Sequence, residues 1–202
     1  IVSKVYPHNA SRAGVQAACE RSLRRLGTER IDLYLLHWPG SHPLSETIAG
    51  FEMLAAAGKI GAWGVSNFDL AGMETLARLA GGAACATNQV LYNLSQRGIE
   101  FDLLAWMGRL GMPAMAYSPL DRGDLGGPAL ERIAARHGAT AKQIALAFVL
   151  SRANVIAIPK ASSVAHVTAN AKAAEIVLTA EDFAELDAAF PPPRRAEPLA
   201  VY

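Results

Sequence analysis

Short apolar, β-branched runs alternate along the chain with longer stretches whose apolar positions recur three and four residues apart, the signature of strand and helix in turn. The runs predict strands at Ile1 to Val5, Ile31 to Leu36, Ile60 to Val65, Cys85 to Gln89, Pro113 to Tyr117 and Val155 to Ile158. Between them the spacing predicts helices over Arg12 to Leu26, Leu44 to Ala57, Leu70 to Leu79 and Ile99 to Leu110. Later helices are predicted over Ala129 to His137, Ala141 to Ser151, Val164 to Ala173 and Glu181 to Ala189. Ser11, Asp69 and Thr179 stand where an N-cap accepts bonds from free amides. Gly27, Gly58 and Gly111 stand where helices stop. Pro191, Pro192 and Pro193 end the last helix and lead into a tail expected to lie extended over the surface.

Strands joined by helices call for a parallel sheet, but six such units fit an open doubly wound sheet as well as most of an eight-stranded barrel. No GxGxxG follows a strand and no GxxxxGK[ST] is present, which removes the Rossmann and P-loop phosphate devices. Ile1 opens inside a strand-like run with no Met before it, so the polypeptide is expected to continue upstream.

Composition narrows the class. The 202 residues are 51% hydrophobic and 18% charged, the make-up of one globular domain spanning residues 1–202. Net charge is +1, and the basic residues are scattered apart from pairs such as Arg24-Arg25 and Arg194-Arg195, so no nucleic-acid partner is expected. Apolar runs such as Ile144 to Leu150 are far shorter than the roughly 20 residues of a membrane span. Cys19 and Cys85 lack CxxC spacing and read as reduced core residues, in keeping with a cytoplasmic location. His8, His42 and His137 have no partner at metal-ligand spacing and read as surface or loop residues, and no metal is expected. Glu100 and Asp102 fall in helix or loop positions and suggest no glycosidase pair.

In parallel α/β folds the reacting groups stand just past the carboxyl ends of strands. Each predicted strand has polar residues there: Lys4, His37, Ser66 with Asn67, Asn88 with Gln89, Tyr117 with Ser118, and Lys160. Singly these signals are weak. A strand-end lysine is more often a surface residue. A histidine after four apolar residues is as easily a satisfied core residue as a group that polarises a carbonyl.

Together, IDLYLLHWP, GKIGAWGVSNF, TNQVLYN, AYSPL and IPKASS, in this order and spacing, resemble the aldo-keto reductase family, most closely its bacterial branch of small reductases. The likeness spans essentially the whole chain. It implies an (α/β)8 TIM barrel lacking its first two βα units, with the third to eighth strands present. It also implies extended NADP at the strand ends and reduction of aldehydes or ketones by hydride transfer. SKVYP places Lys4 at the family lysine and LLHWP places His37 at the histidine that orients the carbonyl, while the family's Asp and Tyr belong to a first βα unit ahead of Ile1.

The same carry-over puts Ser66, Asn67 and Gln89 on the nicotinamide carboxamide and Tyr117 on the nicotinamide ring. Ser118 to Leu120 would pass the pyrophosphate, with Lys160 and Ser162 at the adenosine 2′-phosphate and Asn170 at the adenine. Many members have Arg where this chain has His166, so NAD stays possible beside NADP. Tyr6 and Trp38 would line the pocket of a small carbonyl substrate, or pack at its rim. Two rival readings stay open: a non-catalytic nicotinamide-binding or redox-sensing module, and a lyase using Lys4 as a Schiff-base nucleophile. The carbonyl substrate itself and the oligomeric state are not legible.

Overall fold

The computed structural model describes residues 1–202, which divide into two compact units, Ile1–Gln89 and Val90–Tyr202. In the first unit the chain runs β1 (Val2–Val5), α1 (Arg12–Leu26), β2 (Ile31–Leu36), α2 (Leu44–Ala56), β3 (Ile60–Ser66), α3 (Leu70–Arg78) and into β4 (Asn88–Leu91). Neighbouring strands pair in parallel with Lys4 opposite Leu35, Leu35 opposite Gly64, and Ser66 opposite Gln89. That register is what sets the strand-end residues level.

Helix α1 forms where the spacing predicts it. The Ser11 hydroxyl accepts from the Gly14 amide, Gly27 closes the helix in the left-handed conformation at φ 64°, and Val15, Cys19 and Leu23 are buried one turn apart. On α2, Phe51 stands edge-on to Tyr34 of β2 and stacks on Trp63 of β3, with ring centroids 5.9 and 5.4 Å apart. Gly64 is where β3 must come close to its neighbour: a Cβ there would lie 2.5 Å from the Thr87 carbonyl oxygen.

Cys19 and Cys85 are both buried and free, and burial pushes the Cys85 thiol up to about 12. The fourth strand departs from expectation: it covers Asn88–Leu91, while Cys85 follows a tight turn at Gly82–Ala84 that the left-handed Gly81 begins. All four residues of the strand are buried, so no polar alternation marks its bounds.

In the second unit α4 (Leu103–Arg109), β5 (Ala114–Tyr117), α5 (Pro128–His137), α6 (Ala141–Leu150), β6 (Val155–Ala157), α7 (Val164–Lys172) and α8 (Ala180–Ala189) follow the end of β4. Strands β5 and β6 pair in parallel with Ala116 opposite Ala157. Helix α6 runs through the core, being buried continuously from Ile144 to Val149. The helix expected over Ile99 to Leu110 is broken: a single turn at Gly98–Glu100 precedes α4, because Asp102 takes the non-helical pair φ −143°, ψ −47°.

His137 is no loop or free surface residue, as its lack of a metal partner had suggested. It is the last residue of α5, and its Nε2 lies 2.7 Å from Asp182, which is only 1% exposed. Asp182 also takes the Arg136 guanidinium at 2.7 Å and the Thr179 amide and hydroxyl at 2.9 Å each, so one carboxylate caps α8 and fastens the end of α5. Burial alone would raise its pKa, but these four donors hold it far below the usual carboxylate range.

Asp182→Asn is therefore expected to cost about 2–3 kcal/mol, since the amide keeps an acceptor for Thr179 but turns an NH2 toward Arg136 and loses the charge that pairs with cations still partly hydrated. With a folded pKa below the unfolded one, the stabilisation is present above roughly pH 4 and fades as pH falls toward the lowered value. Urea unfolding at several pH values checks both, and a variant with unchanged stability at pH 7 would contradict the assignment.

Candidate active site

The first unit gathers one cluster at its strand ends. His37 directly follows β2, and its amide donates to the Val5 carbonyl at 3.0 Å, which fixes it beside the end of β1. Asn67, left-handed at φ 60° where β3 turns off, donates its side-chain amide to the His37 carbonyl at 3.1 Å and to the Ser66 hydroxyl oxygen at 3.3 Å. The Gln89 carbonyl accepts from the Ser66 hydroxyl at 2.8 Å and from the Asn67 amide at 2.9 Å. Ser66, Asn67 and Gln89 are thus one hydrogen-bonded set joined to His37. With its proton committed, the Ser66 oxygen can still accept a bond.

The His37 ring stacks on Tyr6 with centroids 5.3 Å apart and contacts Trp38 at 4.6 Å. Tyr6 and Trp38 are half exposed, 51% and 41%, so the imidazole lies beneath an aromatic rim open to solvent. Partial burial first, and then the positive charge of Lys4, lower the pKa of His37. The ring is therefore neutral at pH 7, with one nitrogen donating and the other accepting. Burial likewise lowers the pKa of Lys4, which is half-buried on β1. Tyr34 offers no proton to this cluster. It is fully buried, and burial pushes the phenol up to about 12.

The second unit holds a separate constellation around a cavity of about 560 Å³. Ser118, Leu120, Lys160, His166 and Asn170 all line it. Tyr117 and Ser162 do not: Tyr117 is half-buried with its ring 6.3 Å from that of Tyr202, and Ser162 is exposed just ahead of Ser163, which caps α7. Ser118, Asp121 and Arg122 adopt positive φ of 48°, 46° and 55°, a run of strained residues that marks the loop as shaped for a purpose. Tyr202 braces it, its hydroxyl bonded to Asp121 and its ring 3.6 Å beneath the Arg122 guanidinium.

Arg122, Thr140, Lys142 and Gln143 also line the cavity and were not legible as site residues. The Thr-Ala-Lys-Gln run carries the S/T-x-x-E/Q signature of a helix start, the one signal in the sequence that sets Lys142 apart from any exposed lysine. The lining includes three cations, Arg122, Lys142 and Lys160, and no carboxylate. Such a cavity suits a polyanion.

A parallel α/β chain with a neutral histidine and a lysine at adjacent strand ends, and a cationic cavity beside a strained loop, belongs to the class that binds a phosphorylated cofactor and acts on a polar bond. The aldo/keto reductase family model matches residues 1–190. The chain is 51% identical over 200 residues to the methylglyoxal reductase YeaE of Escherichia coli (strain K12), covering 96% of this chain and 70% of that one. It is 34% identical over 189 residues to the glyoxal reductase of Bacillus subtilis (strain 168), covering 93% and 67%. A crystal structure of an aldo/keto reductase from Klebsiella pneumoniae in complex with NADP and acetate superposes with a TM-score of 0.97 at 48% identity, covering 100% of this chain and 74% of that one. This chain belongs to the aldo-keto reductase family. The α/β barrel class implied by its motifs stands for the part of the fold that it covers.

Proposed function

We propose that the protein reduces aldehydes or ketones to alcohols with NADPH, and that short α-dicarbonyl compounds of the methylglyoxal type are its preferred substrates. The observation that carries the cofactor reading is the cavity whose lining joins Ser118, Leu120, Lys160, His166 and Asn170 to three cations without a carboxylate. The substrate reading is supported by the likeness to methylglyoxal and glyoxal reductases and by the aromatic rim of Tyr6 and Trp38 over His37.

Bound NADPH supplies the hydride. Ser66, Asn67 and Gln89 would hold the carboxamide, and the family resemblance gives Tyr117 the role of stacking on the nicotinamide ring. Negative charge grows on the carbonyl oxygen as the carbon accepts hydride, and the neutral His37 ring donates a hydrogen bond to that oxygen. Lys4 adds positive potential to the same region and lowers the pKa of the proton-donating tyrosine that the family resemblance puts in the first βα unit. The two buried, unpaired cysteines support placing the enzyme in the cytoplasm.

NADPH oxidation by the gene product, including whatever coding sequence precedes Ile1, tests the reading against methylglyoxal, glyoxal, and longer aldehydes and ketones. The expected result is turnover with the highest kcat/KM for the dicarbonyls. Tight NADPH binding without oxidation of any carbonyl would instead mark a non-catalytic nicotinamide-binding module. Borohydride trapping of substrate on Lys4 would mark a Schiff-base enzyme.

A further inference from the structure

We propose that Lys142 is a second phosphate anchor of the cofactor, gripping the diphosphate bridge from the α6 side while Lys160 holds the 2′-phosphate. The proposal rests on the NADPH reading above and concerns a residue that no motif of the family resemblance includes.

Three observations converge on Lys142. It occupies the first turn of α6, a ten-residue helix with no acidic residue in that turn, so its charge sits at the positive end of the helix dipole, where a cation is disfavoured and an anion is welcome. It takes part in no ion pair, although ion pairs tie down Arg97, Arg132, Arg136 and Arg152 elsewhere in this unit. Its ammonium group also reaches across to the strained loop: the Nζ lies 3.9 Å from where a Cβ on Gly123 would stand, and Gly123 at φ 96° has no side chain to intervene.

That loop follows directly on Ser118 to Leu120, the segment that the resemblance sets along the pyrophosphate. Lys160 faces a different part of the lining, since with Val167, Asn170 and Ala171 it also borders a second, apolar cavity beside α7. The first turn of α6 is held in place for the task. Gln143 accepts from the Thr140 amide at 3.0 Å and donates to the Ala169 carbonyl at 3.1 Å, tying the turn to α7 next to Asn170. Two cations at separate stations around one cavity match two separate phosphate groups, and an ammonium serves each as a mobile point charge.

Equilibrium titration by intrinsic fluorescence or calorimetry distinguishes the stations, with NADPH, NADH and 2′-AMP as ligands and wild type, Lys142→Met, Lys142→Arg and Lys160→Ala as proteins. Lys142→Met is expected to weaken NADPH and NADH by the same factor, about tenfold, the loss of one charge-assisted bond. It should leave 2′-AMP, which lacks the diphosphate, unchanged, and Lys142→Arg should restore most of the affinity. Lys160→Ala should weaken NADPH and 2′-AMP while sparing NADH. If Lys142→Met spares both dinucleotides, or weakens only NADPH and 2′-AMP, the diphosphate anchor is overturned while the cofactor reading survives. Wild-type protein that binds neither dinucleotide overturns the cofactor reading itself.

Discussion

His37→Ala is expected to lower kcat for carbonyl reduction by roughly 10²–10³-fold, the usual effect of removing one donor from a developing oxyanion, while leaving the NADPH dissociation constant nearly unchanged. The separation follows from where His37 makes its bonds. Its amide donates to Val5 and its carbonyl accepts from Asn67, so alanine keeps both backbone contacts and with them the placement of Asn67 and Ser66. What alanine removes is the imidazole, held neutral by burial and by Lys4 and stacked against Tyr6 and Trp38. His37→Gln, whose side-chain amide is also a neutral donor, should recover part of the lost rate. Single-turnover kinetics with a separate NADPH titration checks this, and a loss of cofactor affinity as large as the loss of rate would take His37 out of the substrate half.

A second large effect is expected far from any chemistry. Arg97 is 5% exposed and donates to both Glu100 oxygens at 2.8 and 3.0 Å, to Asp187 at 2.8 Å and to the Phe190 carbonyl at 2.5 Å. Its guanidinium also lies 4.9 Å from the Phe148 ring centroid. One side chain thereby joins the turn at Gly98–Glu100, the last turn of α8 and the core helix α6. Arg97→Met keeps the stem but takes the cation from Asp187 and leaves Glu100, which is 15% exposed, with only the Tyr92 hydroxyl at 2.6 Å and Arg152 at 3.5 Å.

The expected cost is about 2–4 kcal/mol, short of the full penalty for an uncompensated buried charge because Glu100 keeps two partners and Asp187 is part exposed. Arg97→Lys should recover little, because an ammonium cannot reproduce the bidentate fork. Urea denaturation of the two variants measures both. A loss below about 1 kcal/mol would show the network to be dispensable, as many ion pairs are.

The contrast between these two residues shows what the sequence carries. His37 could be found because a strand end is a local event, four apolar residues followed by a polar one, and because LLHWP belongs to a set of motifs in register. Helix α1 was legible end to end for the same reason, its cap, its buried stripe and its closing glycine all lying within one continuous stretch.

Arg97 could not be found, since Asp187 and Phe190 stand 90 and 93 residues away and no periodicity links them. Strand β4 begins three residues later than its apolar run suggests, because the small apolar residues before it imitate a strand and the turn made by Gly81 and Gly82 outweighs them. The helix expected from Ile99 broke at Asp102, where the apolar spacing continues but the backbone does not. Lys142 and Arg122 read as ordinary exposed cations because a cavity is a property of the fold rather than of any window of sequence.

The buried thiols have a practical consequence. With its thiol raised to about 12, Cys85 presents a thiolate fraction on the order of 10⁻⁵ at neutral pH, and Cys19, also raised by burial, is fully shielded. Neither Cys19 nor Cys85 therefore offers maleimide dyes a ready target in the folded chain. A cysteine introduced at exposed Ser162, close to the cavity without lining it, would be the one reactive thiol among residues 1–202 and report cofactor arrival in real time, without removal of Cys19 or Cys85.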